Sequence, residues 1–145
     1  VKAWRLLALL PVVLAGGCGD GTRTCTLIGG DSGVTLRWET ADFAGRAQDG
    51  SGTLRLRACA GEVCEERSVA ANDPDPLPWM SVELDEDIGE VTVPVRFTIT
   101  ADGEELFDDR AEVKLRKSTP NGEGCSPTLY QGGLTADPER GLVAG

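Results

Sequence analysis

Ten consecutive residues, Val91-Thr-Val-Pro-Val-Arg-Phe-Thr-Ile-Thr100, alternate apolar with mostly polar side chains. A period of two puts Val91, Val93, Val95, Phe97 and Ile99 on one face of a strand and Thr92, Arg96, Thr98 and Thr100 on the other, a division that no helix makes. Pro94 lacks a ladder donor, so this strand is expected at a sheet edge or bulged at that point. Asp102-Gly103 follows as a type I′ turn signal, and the chain returns through Leu106 to Lys117 with Ala111, Val113 and Leu115 inward and Glu112, Lys114 and Arg116 outward. The same alternation marks Thr24 to Ile28, Val34 to Glu39 with Val34, Leu36 and Trp38 inward, and Thr53 to Ala58 with Leu54 and Leu56 inward. Glu65 to Val69 and, after a loop holding Pro74, Pro76 and Pro78, Trp79 to Leu84 complete the set. Seven or so strands in about 105 residues, with no convincing helical stretch, predict an all-β chain folded as a single immunoglobulin-like two-sheet sandwich. A small β-barrel is the alternative.

Five cysteines bear on what staples such a fold. Cys59 and Cys64 flank Ala60-Gly61-Glu62-Val63, where a two-residue type II′ turn at Gly61-Glu62 makes 59 and 64 a non-hydrogen-bonded pair, close enough for a disulfide. Of the three connectivities open to four cysteines, this one leaves Cys25 to join Cys125 and tie the start of the domain to its end. A loop of about 100 residues closed in this way is worth about 4 to 5 kcal/mol in the chain-entropy model. The spacing is not the Cys-x-x-Cys of a redox dithiol, and the second pair is too dispersed for a zinc site.

The fifth cysteine, Cys18, ends a different kind of segment. Lys2 and Arg5 precede an apolar run from Leu6 to Ala15, about half the roughly 20 residues a membrane-spanning helix needs. Leu14-Ala15-Gly16-Gly17-Cys18 resembles the lipobox of bacterial lipoproteins, although Ala15 holds the place usual for leucine. That resemblance implies a lipid on the Cys18 sulfur; an ordinary signal peptide cut nearby would leave the thiol free. An initial Val that reads as a GTG start, together with 11 Arg against 3 Lys, makes the chain similar to a small actinobacterial lipoprotein. The expected organisation is a signal peptide over 1–17, a lipidated tether over 18–23, a β-sandwich over 24–130, and a C-terminal extension over 131–145 that wraps the sandwich loosely or lacks order.

Removal of Lys2 and Arg5, with no acid, takes the formal charge from −10 to −12. Such a body has no general affinity for nucleic acid or anionic lipid, so attachment to the membrane would rest on the acyl chains. The absence of histidine excludes Ser-His and Cys-His nucleophile pairs and most zinc and copper chemistry. Asp85-Glu86-Asp87-Ile88-Gly89-Glu90 is a fragment of a calcium loop, to which Asp73 and Asp75 would contribute only through proximity, and reads better as a solvated turn. Trp38 has the inward parity of a core residue, whereas Trp79 opens a strand and is the candidate for a binding rim. Arg37, Arg55, Arg57, Arg96, Lys114 and Arg116 take outward positions, with Glu39, Glu83 and Glu112 expected to pair with them across strands. The expected function is that of a non-enzymatic lipoprotein on the extracytoplasmic face of the cell membrane, without cofactor or metal, that binds a protein or envelope component. A calcium-stabilised adhesion domain and a carboxylate-dependent hydrolase are the alternatives.

Overall fold

The computed structural model of the protein describes residues 23–46, 52–72 and 77–145; the signal and lipidation readings at 1–17 and Cys18, and Asp73 and Asp75, lie outside these residues. The elements are β1 (Gly33–Trp38), α1 (Thr40–Ala44), β2 (Thr53–Ala60), β3 (Val63–Ala70), β4 (Trp79–Glu83), β5 (Thr92–Ala101), β6 (Glu104–Lys114), β7 (Arg116–Ser118), β8 (Leu129–Asp137) and β9 (Gly141–Ala144). They form two packed sheets. Sheet A runs β4-β1-β8-β7 with β9 also on β8, and sheet B runs β3-β2-β5-β6. Every pairing is antiparallel except β1 with β8. The chain is therefore an all-β sandwich, with nine strands among the described residues where about seven are expected, and one five-residue helix there where none is.

Alternation builds the core. Val34, Leu36 and Trp38 from β1 and Met80 and Val82 from β4 face Leu54, Leu56, Ala58, Val95, Phe97 and Ile99 from sheet B, all of them buried. An aromatic line crosses this layer: Trp38 to Phe97 at 5.9 Å between ring centroids, Phe97 to Phe107 at 6.2 Å, and Phe107 edge-on to Phe43 at 5.6 Å. Phe43 explains α1. A single helical turn after β1 folds this ring back into the sandwich, where it is wholly buried.

Both expected hairpins form with the expected pairing. Asp102 and Gly103 both have positive φ, as a type I′ turn requires, and Ala101 pairs with Glu104. Gly61 alone has positive φ in the other turn, and Cys59 faces Cys64 with Cα atoms 4.0 Å apart in a disulfide. The second disulfide joins Cys25 to Cys125.

Five local expectations are corrected. Pro94 is on neither an edge nor a bulge: β5 is central, and the register shift lies at Ile99/Thr100. β2 ends opposite Val95, and the Pro94 carbonyl accepts from the Gly61 N–H of the turn. The proline nitrogen points the same way, past the last ladder bond, so its missing donor costs the sheet nothing. Val91 is exposed rather than inward; its N–H donates to the Gly89 carbonyl at 3.1 Å and its carbonyl accepts from the Leu115 N–H at 2.8 Å. The Leu106 to Lys117 segment does not stay in one sheet. It crosses at the buried Leu115 and continues as β7 in sheet A, over Gly132, where an added Cβ would collide with Val113 and sit 3.3 Å from Leu115. Residues 131–145 belong to the sandwich as the end of β8 and as β9.

Thr24 to Ile28 is the remaining correction, since it is not a strand. The buried Asn121 side chain takes the place of a neighbouring strand. Its Oδ1 accepts from the Ile28 N–H and the Thr26 hydroxyl, both at 2.7 Å, while its Nδ2 donates to the Ile28 and Ser126 carbonyls at 2.9 and 2.6 Å. Asn121→Ala leaves those backbone groups without partners and is expected to lower the unfolding free energy by about 2 to 4 kcal/mol, measurable by urea denaturation.

The β8–β9 turn carries a pH dependence. The Asp137 carboxyl is pulled down to about 2 by hydrogen bonds from the Arg140 guanidinium and from the Arg140 and Glu139 N–H groups. Its folded pKa lies below the unfolded value of 3.8, so its contribution is complete above that value and is lost as pH falls through about 2. The Asp137 carboxyl carbon is expected to titrate near 2 by NMR, and Asp137→Asn to remove this component of the acid dependence of stability.

Candidate functional site

The two tryptophans of the sandwich part company as their parities dictate. Trp38 is 3% exposed, and its indole N–H donates to the Thr40 hydroxyl at 3.2 Å. The Arg67 guanidinium, reaching from β3, lies 5.8 Å from its ring centroid. The same guanidinium donates to the carbonyls of Leu77 at 3.0 Å and Trp79 at 2.6 Å. Arg67 thereby spans from sheet B to the edge of sheet A and anchors the backbone that carries Trp79. The Trp79 side chain itself points out of sheet A and is 47% exposed.

Register defines what surrounds it. Trp79 pairs with Arg37, which pairs with Thr135; Ser81 pairs with Thr35, which pairs with Gly133; Glu83 pairs with Gly33, which pairs with Gln131. All nine share the outward parity of β4, β1 and β8. Gly33 and Gly133 contribute no side chain, so the face is low between Glu83 and Gln131 and on β8 beside Thr35. Two shallow depressions of about 240 and 250 Å³ lie along it and share Thr35 and Gln131 in their walls. The Thr35 and Ser81 hydroxyls stand 3.2 Å apart, and the Gln131 amide donates to the Asp31 carbonyl at 3.0 Å. The result is a strip with one aromatic ring at its end and hydroxyl, amide, carboxylate and guanidinium groups along it. Strand parity in the sequence places Thr35, Arg37 and Glu83 outward, and Trp79 is the rim candidate there because it opens a strand after the proline-rich loop. Gln131 and Gly133 were missed because the parallel β1–β8 pairing joins segments about 100 residues apart, which no local pattern reports.

The outward cations do not form one stripe. Arg37 and Arg116 belong to sheet A, and Arg55, Arg57, Arg96 and Lys114 to sheet B, joined there by Arg110. The acids that answer them also differ from expectation. Asp108 grips Arg96 through two hydrogen bonds of 2.8 and 2.6 Å, and Glu66 lies 3.7 Å from Arg57. The Arg96 guanidinium holds the Asp108 carboxyl below its ordinary range, and Asp108 in turn raises Arg96. A hollow of about 600 Å³ lies on this face between the Cys59–Cys64 hairpin, Pro94, Arg96, Arg110 and Glu112. Arg96 faces Arg110 across the strands and is held by Asp108 beside the hollow, while Glu112 lies opposite Pro94.

The acidic turn binds its own backbone. The Asp85 carboxylate accepts from the Asp87 N–H at 2.9 Å, and among the described residues no three metal-ligating side chains converge. Asp109, inward on β6, is likewise engaged and accepts from the Leu142 N–H at 2.7 Å.

Trp38→Ala is expected to cost about 3 to 5 kcal/mol of stability through the lost core contacts, whereas Trp79→Ala should cost about 1 kcal/mol or less. Paired thermal and urea melts of the two variants check this division between core and surface. No protein-family model, curated protein or solved structure matches the chain.

Proposed function

We propose that the protein is a non-enzymatic, lipid-anchored module of the cell envelope that binds an envelope component through the outer face of sheet A. The observation that carries this reading is Trp79. A chain whose sandwich buries its other described tryptophan, Trp38, and all three phenylalanines holds this ring outward at 47% exposure on a backbone tied down by Arg67. A rigidly presented, half-exposed aromatic beside convergent polar groups is the usual anchor of a binding surface.

The lipobox-like segment supplies the other half of the proposal. Four residues, 19–22, separate Cys18 from Arg23 at the start of the described chain, a reach of about 17 Å at full extension. Just beyond, Leu27 and Ile28 are exposed, on a segment held by Asn121 and the Cys25–Cys125 disulfide. Apolar side chains at this end suit a surface resting near lipid. Trp79 lies toward the far end of β1, about 13 Å along the strand from Gly33. An anchor at one end and a binding ring toward the other present the face outward, while the acidic body stays off anionic headgroups.

Mass spectrometry of the membrane fraction is expected to find diacylglyceryl on Cys18, and Cys18→Ser to shift the protein into the soluble fraction. Recovery of unmodified Cys18 in an unprocessed soluble chain would remove the anchored half of the proposal.

A further inference from the structure

We infer that the ligand of the sheet A face is a neutral oligosaccharide, its ring stacked on Trp79 and its hydroxyls met by the polar groups of the strip. The inference rests on the proposal that this is the binding face, and adds the chemical class. Four observations select it. The strip has one exposed aromatic ring and otherwise presents Thr35, Ser81, Gln131, Arg37 and Glu83, a mixture of donors and acceptors suited to a ligand rich in hydroxyl groups. It lacks the apolar centre that a protein partner of ordinary interface size requires. β1 and β8 have neighbours on both sides, and at the sheet's end strand β4 the Arg67 guanidinium already occupies the Leu77 and Trp79 carbonyls, which obstructs the backbone edge a peptide would extend. Its single cation, Arg37, is balanced in number by Glu83 about 13 Å away along the strands, and the body carries a formal charge of −12 once residues 1–17 are removed, which disfavours a polyanion.

The geometry fits an extended, flat ligand. Gly33 and Gly133 keep the floor low, and the two depressions run on from one another past Thr35 and Gln131. From the Trp79–Arg37 row to the Glu83–Gly33–Gln131 row is about 13 Å along the strands, and three strands span about 10 Å across. A short run of sugar rings lies within these limits. Stacking on Trp79 would fix one ring, and Ser81, Thr35 and Gln131 would orient the next.

Affinity electrophoresis of the 18–145 chain through gels holding a soluble α-mannan, a β-glucan, a galactan or the acidic polymer polygalacturonate tests this, alongside sedimentation with isolated envelope. Retardation by at least one neutral polymer is expected, weakened about tenfold or more in Trp79→Ala and in Ser81→Lys, which crowds the strip while leaving the ring in place. Unchanged melting temperatures of both variants are the control for folding. Retardation by polygalacturonate alone, or by a neutral polymer equally in wild type and both variants, would overturn the inference. Trp79-dependent sedimentation with envelope but no retardation by any neutral polymer would overturn the glycan class while leaving the binding face standing. Loss of both would remove the face as well.

Discussion

A sandwich of two sheets satisfies its backbone through ladders everywhere except at its rims, and the cost of an unpaired buried N–H or C=O makes the rims the controlling problem of this fold. Three side chains meet it. Asn121 serves Ile28 and Ser126 where the first extended segment has no strand beside it. Asp109 takes the Leu142 N–H and binds β9 to β6 across the two sheets. Arg67 takes the Leu77 and Trp79 carbonyls on the opposite rim. Between these clamps the crossing at Leu115, packed on Gly132, makes one strand serve both sheets. The apolar layer supplies most of the driving force, but its orientation depends on rims that are closed in this way.

The closure has a functional consequence. Arg67 covers Trp38 with its guanidinium plane and uses the same atoms to hold the backbone of Trp79, so the buried and the exposed tryptophan are positioned by one residue. The proposed binding ring is thereby preorganised, which reduces the entropy lost when a ligand settles on it. The two outer faces differ in kind. On sheet B, Arg96 and Asp108 and Arg57 and Glu66 neutralise one another across strands. On sheet A the strip carries no charge pair across its strands, and its Thr35 and Ser81 hydroxyls bond each other while the Gln131 amide donates to the Asp31 carbonyl.

Much of this was legible in the residues. Period-two alternation in Val34 to Trp38, Thr53 to Ala58 and Thr92 to Thr100 assigns the inward side chains correctly, because a strand facing one core leaves no other arrangement for its apolar residues. Gly61 and Asp102-Gly103 specify their turns by the φ angles they tolerate, and the turn at Gly61 sets the Cys59–Cys64 pairing. Residues 131–145 were harder to read, since Gly132, Gly133 and Gly141 look like loop composition. Their meaning appears only beside Val113 and Asp109, which leave no room for a Cβ at Gly132 and Gly141.

The amino-acid sequence by itself determined the strand periodicity, the two disulfides, the acidic charge and the candidacy of Trp79 for the binding rim, because each depends on neighbouring residues or on counting. Tertiary structure alone decided that β1 lies parallel to β8, that Pro94 is central, that Asn121 replaces a strand, and that Trp79, Thr35, Ser81 and Gln131 share one strip. Those relations join positions tens of residues apart, and they follow from which sheet edges must be closed and which side chains can reach them, a matter settled by the packing of the whole sandwich.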